Sequence, residues 1–151
     1  MSVEKLTNKT WVLVADGEKA LFLVNHGDQD LLDLRVFDSE KQDNPSDYEQ
    51  SANRPGRQHQ SVGSGRSAYE DTDWHQLAKE RFADHLAELL YERAHKGQFD
   101  RIVLVAAPKV LAELREQLHK EVSDKVVGEV PKTLTNHPLD QIEKVLKSEL
   151  V

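Results

Sequence analysis

The stretch Arg101-Ile102-Val103-Leu104-Val105-Ala106-Ala107-Pro108 decides the fold. A strand with one wet face alternates apolar and polar residues. Positions 102–106 are apolar throughout, as expected of a central strand covered on both faces. Pro108 suits the first position of a helix, with Leu111, Leu114, Leu118 and Val122 along one side. Upstream, Leu77, Phe82, Leu86, Leu89 and Leu90 predict an amphipathic helix, capped by Asp73 and stopped by Gly97 after His95 and Lys96. Downstream, residues 125–130 read as a short strand. Asn136 or His137 then caps a last helix that starts at Pro138, with Leu139, Ile142 and Leu146 facing inward.

The first third reads as three strands. Trp11-Val12-Leu13-Val14-Ala15 is apolar and meets the turn signal Asp16-Gly17; residues 20–24 follow, then the turn His26-Gly27-Asp28. In the third strand Leu32, Leu34 and Val36 alternate with Asp33, Arg35 and Phe37, the pattern of a half-buried strand. Two short turns imply an antiparallel meander. The expected order is β-β-β-α-β-α-β-α. This is an α/β, ribonuclease H-like fold: a mixed five-stranded sheet flanked by helices, with a long loop between strand 3 and helix 1. At 151 residues one domain is expected over 1–151, with a flexible Gly/Arg loop at about 40–72.

Composition narrows the functional classes. Twenty-seven acids against twenty basic residues give a net charge of −7, which argues against a general DNA-coating role. With no cysteine, neither disulfides nor thiolate metal sites are available. The opening MSVEKLTNKT lacks the apolar core of a signal peptide, and no apolar run reaches the roughly 20 residues of a membrane helix. A cytoplasmic protein with no membrane contact is the expectation.

One segment departs from the acidic background. Residues 50–69, QSANRPGRQHQSVGSGRSAY, hold Arg54, Arg57, His59 and Arg66 and no acid, with glycines at 56, 63 and 65. Gly63 and Gly65 permit close backbone approach, and the arginines suit bidentate contact with phosphate. The expected RNA- or phosphate-binding set is therefore Arg54, Arg57, His59, Gly63, Gly65 and Arg66. The competing reading is a surface loop of solvated arginines.

Catalytic motifs are thin. Two-metal nuclease chemistry needs converging carboxylates. Asp16 and one of Glu80, Asp84 or Glu88 are available, but the fourth strand ends without an acid, and Asp16 is explained by its turn. The pairs Glu92/His95 and Glu116/His119 have the spacing of di-iron ligands, yet Glu116 falls on the watered side of its helix, and both histidines sit where they complement helix ends. No dinucleotide, Walker or nucleophile-elbow motif occurs. His26 and His137 lie at turns, Trp11 reads as core, and Trp74 reads as a staple at a helix start or a base-stacking platform. Neither metal nor cofactor is implied.

Several of these residues together resemble a known family. The marks are Ala107-Pro108, Leu111-x-x-Leu114-Arg115, His119-Lys120, Gly128-Glu129, Lys132, Leu134-Thr135-Asn136-His137-Pro138 and the opening strand and turn at 11–17. The chain resembles the bacterial host-attachment protein family, named for attachment to host cells. That family is similar to the middle domain of archaeal and eukaryotic peptide-chain release factors. The resemblance implies the same element order and a loop before the first helix that carries Gly-Gly-Gln in the release factors. Here that loop reads Val62-Gly63-Ser64-Gly65-Arg66-Ser67, so no catalytic residue carries over and an enzyme is not expected. Three functions follow: a non-enzymatic factor contacting the ribosome or structured RNA, a protein-binding module that affects attachment indirectly, and a peptidyl-tRNA or RNA hydrolase with a divergent loop. Neither the partner nor the oligomeric state is written in the sequence.

Overall fold

A computed structural model describes residues 6–42 and 64–150. Its elements are β1 (Trp11–Ala15), β2 (Lys19–Asn25), β3 (Leu34–Lys41), α1 (Ser64–His95), β4 (Ile102–Val105), α2 (Pro108–Gln117), α3 (Lys120–Ser123), β5 (Val126–Val130) and α4 (Leu139–Glu149). The five strands form one mixed sheet in the order β3-β2-β1-β4-β5. β1 and β2 pair antiparallel, as do β2 and β3, giving the expected meander. β4 runs parallel to β1, and β5 parallel to β4.

The apolar run of β4 lies in the middle of this sheet and is buried throughout, as is β1. Alternate residues serve two cores. Trp11, Leu13, Phe22 and Leu104 face Phe82, Leu86 and Leu90 of α1, Leu111 and Leu114 of α2, and Val122 of α3. Val12, Val14, Leu23 and Val103 face Ile142 and Leu146 of α4. Helices α1 to α3 therefore share one face, and α4 covers the other.

Four expectations need correction. Helix α1 begins at Ser64, well before Asp73, which falls inside it. No proline or glycine interrupts residues 66–96, so the helix runs on beyond the part that apolar spacing marks. Its packed stripe is Ala78, Phe82, Ala83, Leu86, Ala87, Leu90 and Ala94, while Leu77 is 44% exposed. Five residues before Phe82, Leu77 lies about 140° off that stripe, and the alanines let the helix sit close to the sheet. The expected second helix is two: Leu118 turns extended, with ψ 132, and α3 restarts at Lys120. The order among described residues is thus β-β-β-α-β-α-α-β-α. Finally, Leu139 stands 37% exposed in the first turn of α4, which has no side-chain cap from Asn136 or His137.

β3 carries an irregularity that decides what faces α1. Leu23 pairs with Val36, but Phe22 pairs with Asp38, so Phe37 is an extra residue. Such a bulge shifts the parity of the strand. Leu34 stays on the α4 side, whereas Asp38 and Glu40 turn toward α1, where Arg93 and His85 receive them. Phe37 then rests against Trp11, ring centroids 4.7 Å apart.

Candidate functional site

Arg54, Arg57, His59 and Gly63 lie outside the described residues. Gly65 and Arg66 belong to the first turn of α1 and so are helical, not part of a loop. Trp74 is within the body of the same helix, which removes the role of a staple at its start. The 32 residues of α1 make a rod of about 48 Å, at 1.5 Å per residue. Its first described buried residue is Ala78. The preceding 14 positions span about 21 Å of helix axis. No acid occupies the first turn, so the helix supplies no carboxylate of its own there to offset the positive end of its dipole.

The carboxyl ends of β1, β4 and β5 are the usual ligand crevice of an open α/β sheet when helices leave on opposite faces. Here α2 leaves β4 on one face and α4 leaves β5 on the other, and polar side chains are linked across this end. Asp16 Oδ1 accepts from the N–H groups of Glu18 and Lys19 at 2.7 and 2.8 Å. Its Oδ2 accepts from Thr135 Oγ1 at 2.6 Å. Both oxygens of Asp16 are thus engaged by donors, which fits a turn former. Lys19 Nζ donates to Asn136 Oδ1 at 2.6 Å. Lys79 lies over Gly17, leaving no room for a side chain there without its moving. Gln76 of α1 donates to Glu113 of α2 and accepts from Lys109.

The two Glu-x-x-His pairs do not converge. Glu92 and Glu116 are exposed. His119 sits at the α2–α3 break, where its Nδ1 accepts from the N–H of Glu121 and caps α3. The rings of His119 and His95 both lie beside Tyr91, at 4.2 and 5.7 Å. Among the described residues no three His, Asp or Glu side chains are grouped to hold a metal ion.

The residues that carried the resemblance are fasteners between elements. Arg115 of α2 holds Glu129 of β5 through three hydrogen bonds. Glu129 in turn keeps the Arg115 guanidinium above its ordinary pKa, by hydrogen bonding first and charge second. Lys132 reaches Glu149 at 3.1 Å. Thr135 and Asn136 hold the β1–β2 turn. The pattern therefore reports an architecture: a helix–strand ion pair, a strand–turn and a loop that clasps that turn.

Residues 9–146 match bacterial archaeo-eukaryotic release factor family 12. The chain belongs to that family. No curated protein matches it. Within the family 12 protein the architectural fasteners lie in the described elements. The acid-free segment, residues 50–69, runs in sequence into the first turns of α1, and its positions before Ser64 lie outside the described residues.

Sequence reading missed one residue of consequence. Asn25 is completely buried, and its side chain ties together the chain before β1 and the β2–β3 turn. The signal was a lone amide closing an apolar strand just ahead of His26-Gly27.

Proposed function

We propose that this family 12 protein is a non-enzymatic cytoplasmic factor. It contacts the ribosome or structured RNA through the cationic segment that leads into α1. Membership of a release factor family is the observation that carries this reading. Arg54, Arg57 and Arg66 supply the phosphate contacts, with His59, Gly63 and Gly65 in the same stretch. A long helix whose acid-free first turn includes Arg66 adds a positive end to the same stretch of sequence. The strand order β3-β2-β1-β4-β5, with β2 antiparallel to its neighbours, supports a ribonuclease H-like frame for that helix. The absence of Gly-Gly-Gln from Val62-Gly63-Ser64-Gly65-Arg66-Ser67 supports contact without hydrolysis.

Ribosome co-sedimentation from lysate, at low and high salt and with and without nuclease, tests the proposal. Expected is an association that weakens as salt rises and is lost in the Arg54→Ala/Arg57→Ala/Arg66→Ala variant. Equal association of that variant, or none at any salt, overturns it. In the second case the weight moves to a protein-binding module of the kind that the host-attachment resemblance implies. A peptidyl-tRNA hydrolysis assay should give a rate no higher than the triple variant.

A further inference from the structure

At the amino ends of β1 and β4 two loops, residues 7–10 and 97–101, enclose a half-open groove of about 460 Å³. This is within the size of small-molecule sites. Its lining is mostly polar and holds two cations, Lys9 and Arg101, and one acid, Asp100. The Asp100 carboxylate is 94% exposed and stands 4.0 Å from Lys125, and among the described residues it pairs with neither Lys9 nor Arg101. In a chain of net charge −7, two cations that face one groove without a carboxylate partner among the described residues are unusual.

Arg101 is held through its guanidinium and Lys9 through its backbone. Arg101 donates from Nη1 to Thr7 Oγ1 at 3.0 Å, and Thr7 Oγ1 is paired with Thr10 Oγ1 at 3.0 Å. A hydroxyl orients the guanidinium without neutralising it, leaving the rest of its donor fork available. Lys9 adopts φ 68, the left-handed region that a residue with a Cβ rarely enters. Its N–H donates to the Asn25 carbonyl at 2.8 Å, and the Thr10 N–H closes the turn onto Thr7 at 3.2 Å. Behind the loop, the aromatic residue of the groove, Phe99, is only 3% exposed and is stacked on Trp11 at 4.6 Å. It offers no face for a nucleobase to stack on, as single-stranded RNA would need.

We infer that this groove is a binding site for the phosphate group of a small phosphomonoester, held between the Lys9 ammonium and the Arg101 guanidinium. A dianionic, tetrahedral group matches one point charge and one planar fork. The groove volume leaves room for a body of sugar size beyond the phosphate. The site is built from described residues alone and does not depend on the RNA reading.

Ribose 5-phosphate, titrated into the full chain and followed by backbone amide chemical shifts, tests the inference. Expected are saturable shifts confined to residues 7–10 and 97–101, with unphosphorylated ribose giving none. Lys9→Gly removes the charge and relieves the left-handed backbone, so the variant folds. Arg101→Gln keeps a donor for Thr7. Each should weaken binding by about tenfold, the loss of one charge-assisted contact, and the double variant should abolish it. Shifts that are absent, scattered over the surface, equal with ribose, or retained in the double variant overturn the site. Local shifts produced by a single-stranded RNA oligonucleotide but not by ribose 5-phosphate overturn it too, assigning the groove to nucleic-acid backbone. An unperturbed ribosome association in the double variant keeps this test distinct from that of the arginine segment.

Discussion

The two ends of the sheet are held by different means. At the amino end a buried amide does the fastening. Asn25 Nδ2 donates to the carbonyls of Leu6, Thr7 and Asp28, and Oδ1 accepts from the N–H groups of Gly27 and Asp33. Three backbone segments meet on one side chain that water does not reach. At the carboxyl end the links run between side chains: Asp16 to Thr135, Lys19 to Asn136, Gln76 to Glu113 and Lys109. Most of these groups are solvated on one side, and water can replace a lost partner. A buried polar knot is costly to break because its orphans stay dry, whereas exposed pairs contribute little each. The amino end is therefore a rigid frame that can hold Lys9 in an unfavourable backbone conformation. Local opening should cost less at the carboxyl end than at the amino end.

Asn25→Ala should break this contrast most visibly. It strands the buried Leu6 carbonyl and the partly buried N–H groups of Gly27 and Asp33, for a loss of about 3 kcal/mol. In a chain of this length that corresponds to a drop of roughly 10 °C in Tm. Urea unfolding checks it, and a loss below about 1 kcal/mol would mean that the amino end is no more tightly held than an ordinary turn. Gly27→Ala comes next. A Cβ at that position would sit 2.0 Å from the Leu31 carbonyl oxygen and 3.0 Å from the Asp33 nitrogen, both backbone atoms. Backbone cannot swing aside as a side chain does, so the expected loss is about 2 kcal/mol. At Gly17→Ala the nearest atoms belong to the Lys79 side chain, from 2.9 Å, and the change should cost less than Gly27→Ala under the same conditions.

The amino-end knot was not legible in the sequence, although the sheet around it was. A continuous apolar strand has one explanation, so β4 and β1 could be read directly, and turn residues placed β2 and β3. What failed was everything that periodicity does not encode. Apolar spacing marks the packed part of α1 and is silent on the turns before Gln76, which is why Asp73 looked like a beginning. Leu114, Leu118 and Val122 keep a four-residue step straight through the break that His119 caps. The bulge at Phe37 leaves the apparent alternation of β3 intact, yet it is what delivers Asp38 to Arg93 and Glu40 to His85. Of the candidate site, the arginines could be picked out by the missing acids, while the helical state of Gly65 and Arg66 could not. Lys9 and Arg101 share no motif; only the parallel pairing of β1 with β4 brings them to one groove.

Thr135→Val sharpens the comparison from the other end. The substitution keeps the shape, removes the donor to Asp16 Oδ2 and leaves that oxygen half-buried. Thr135 itself is only 6% exposed, so the bond is sheltered on one side. The expected loss is about 1 to 1.5 kcal/mol, smaller than for Asn25→Ala because Asp16 can turn to water. Amide exchange should report the difference in place. The N–H groups of Glu18 and Lys19 should lose protection while those of Gly27 and Asp33 keep theirs. A loss as large as that of Asn25→Ala, or protection lost equally at both ends, would show that the two ends form one cooperative unit.

The smallest effect belongs to Asp28, which faces water at the amino end. The N–H groups of Leu31, first, and Asp30 donate to its carboxylate at 2.8 and 2.9 Å and hold its pKa below the ordinary value. A depressed folded-state pKa contributes stability that is fully present above the unfolded value, near 3.9. That contribution fades as pH falls through the folded-state value. The stability gap between the natural chain and Asp28→Ala should therefore be constant from neutral pH down to about 5, and close progressively below about 4. Urea unfolding of both chains between pH 7 and 2.5 measures it. A gap that stays level, or widens with acid, would mean that the β2–β3 turn is held by the Asn25 knot alone. The exposed carboxylate would then contribute nothing to the frame that supports Lys9.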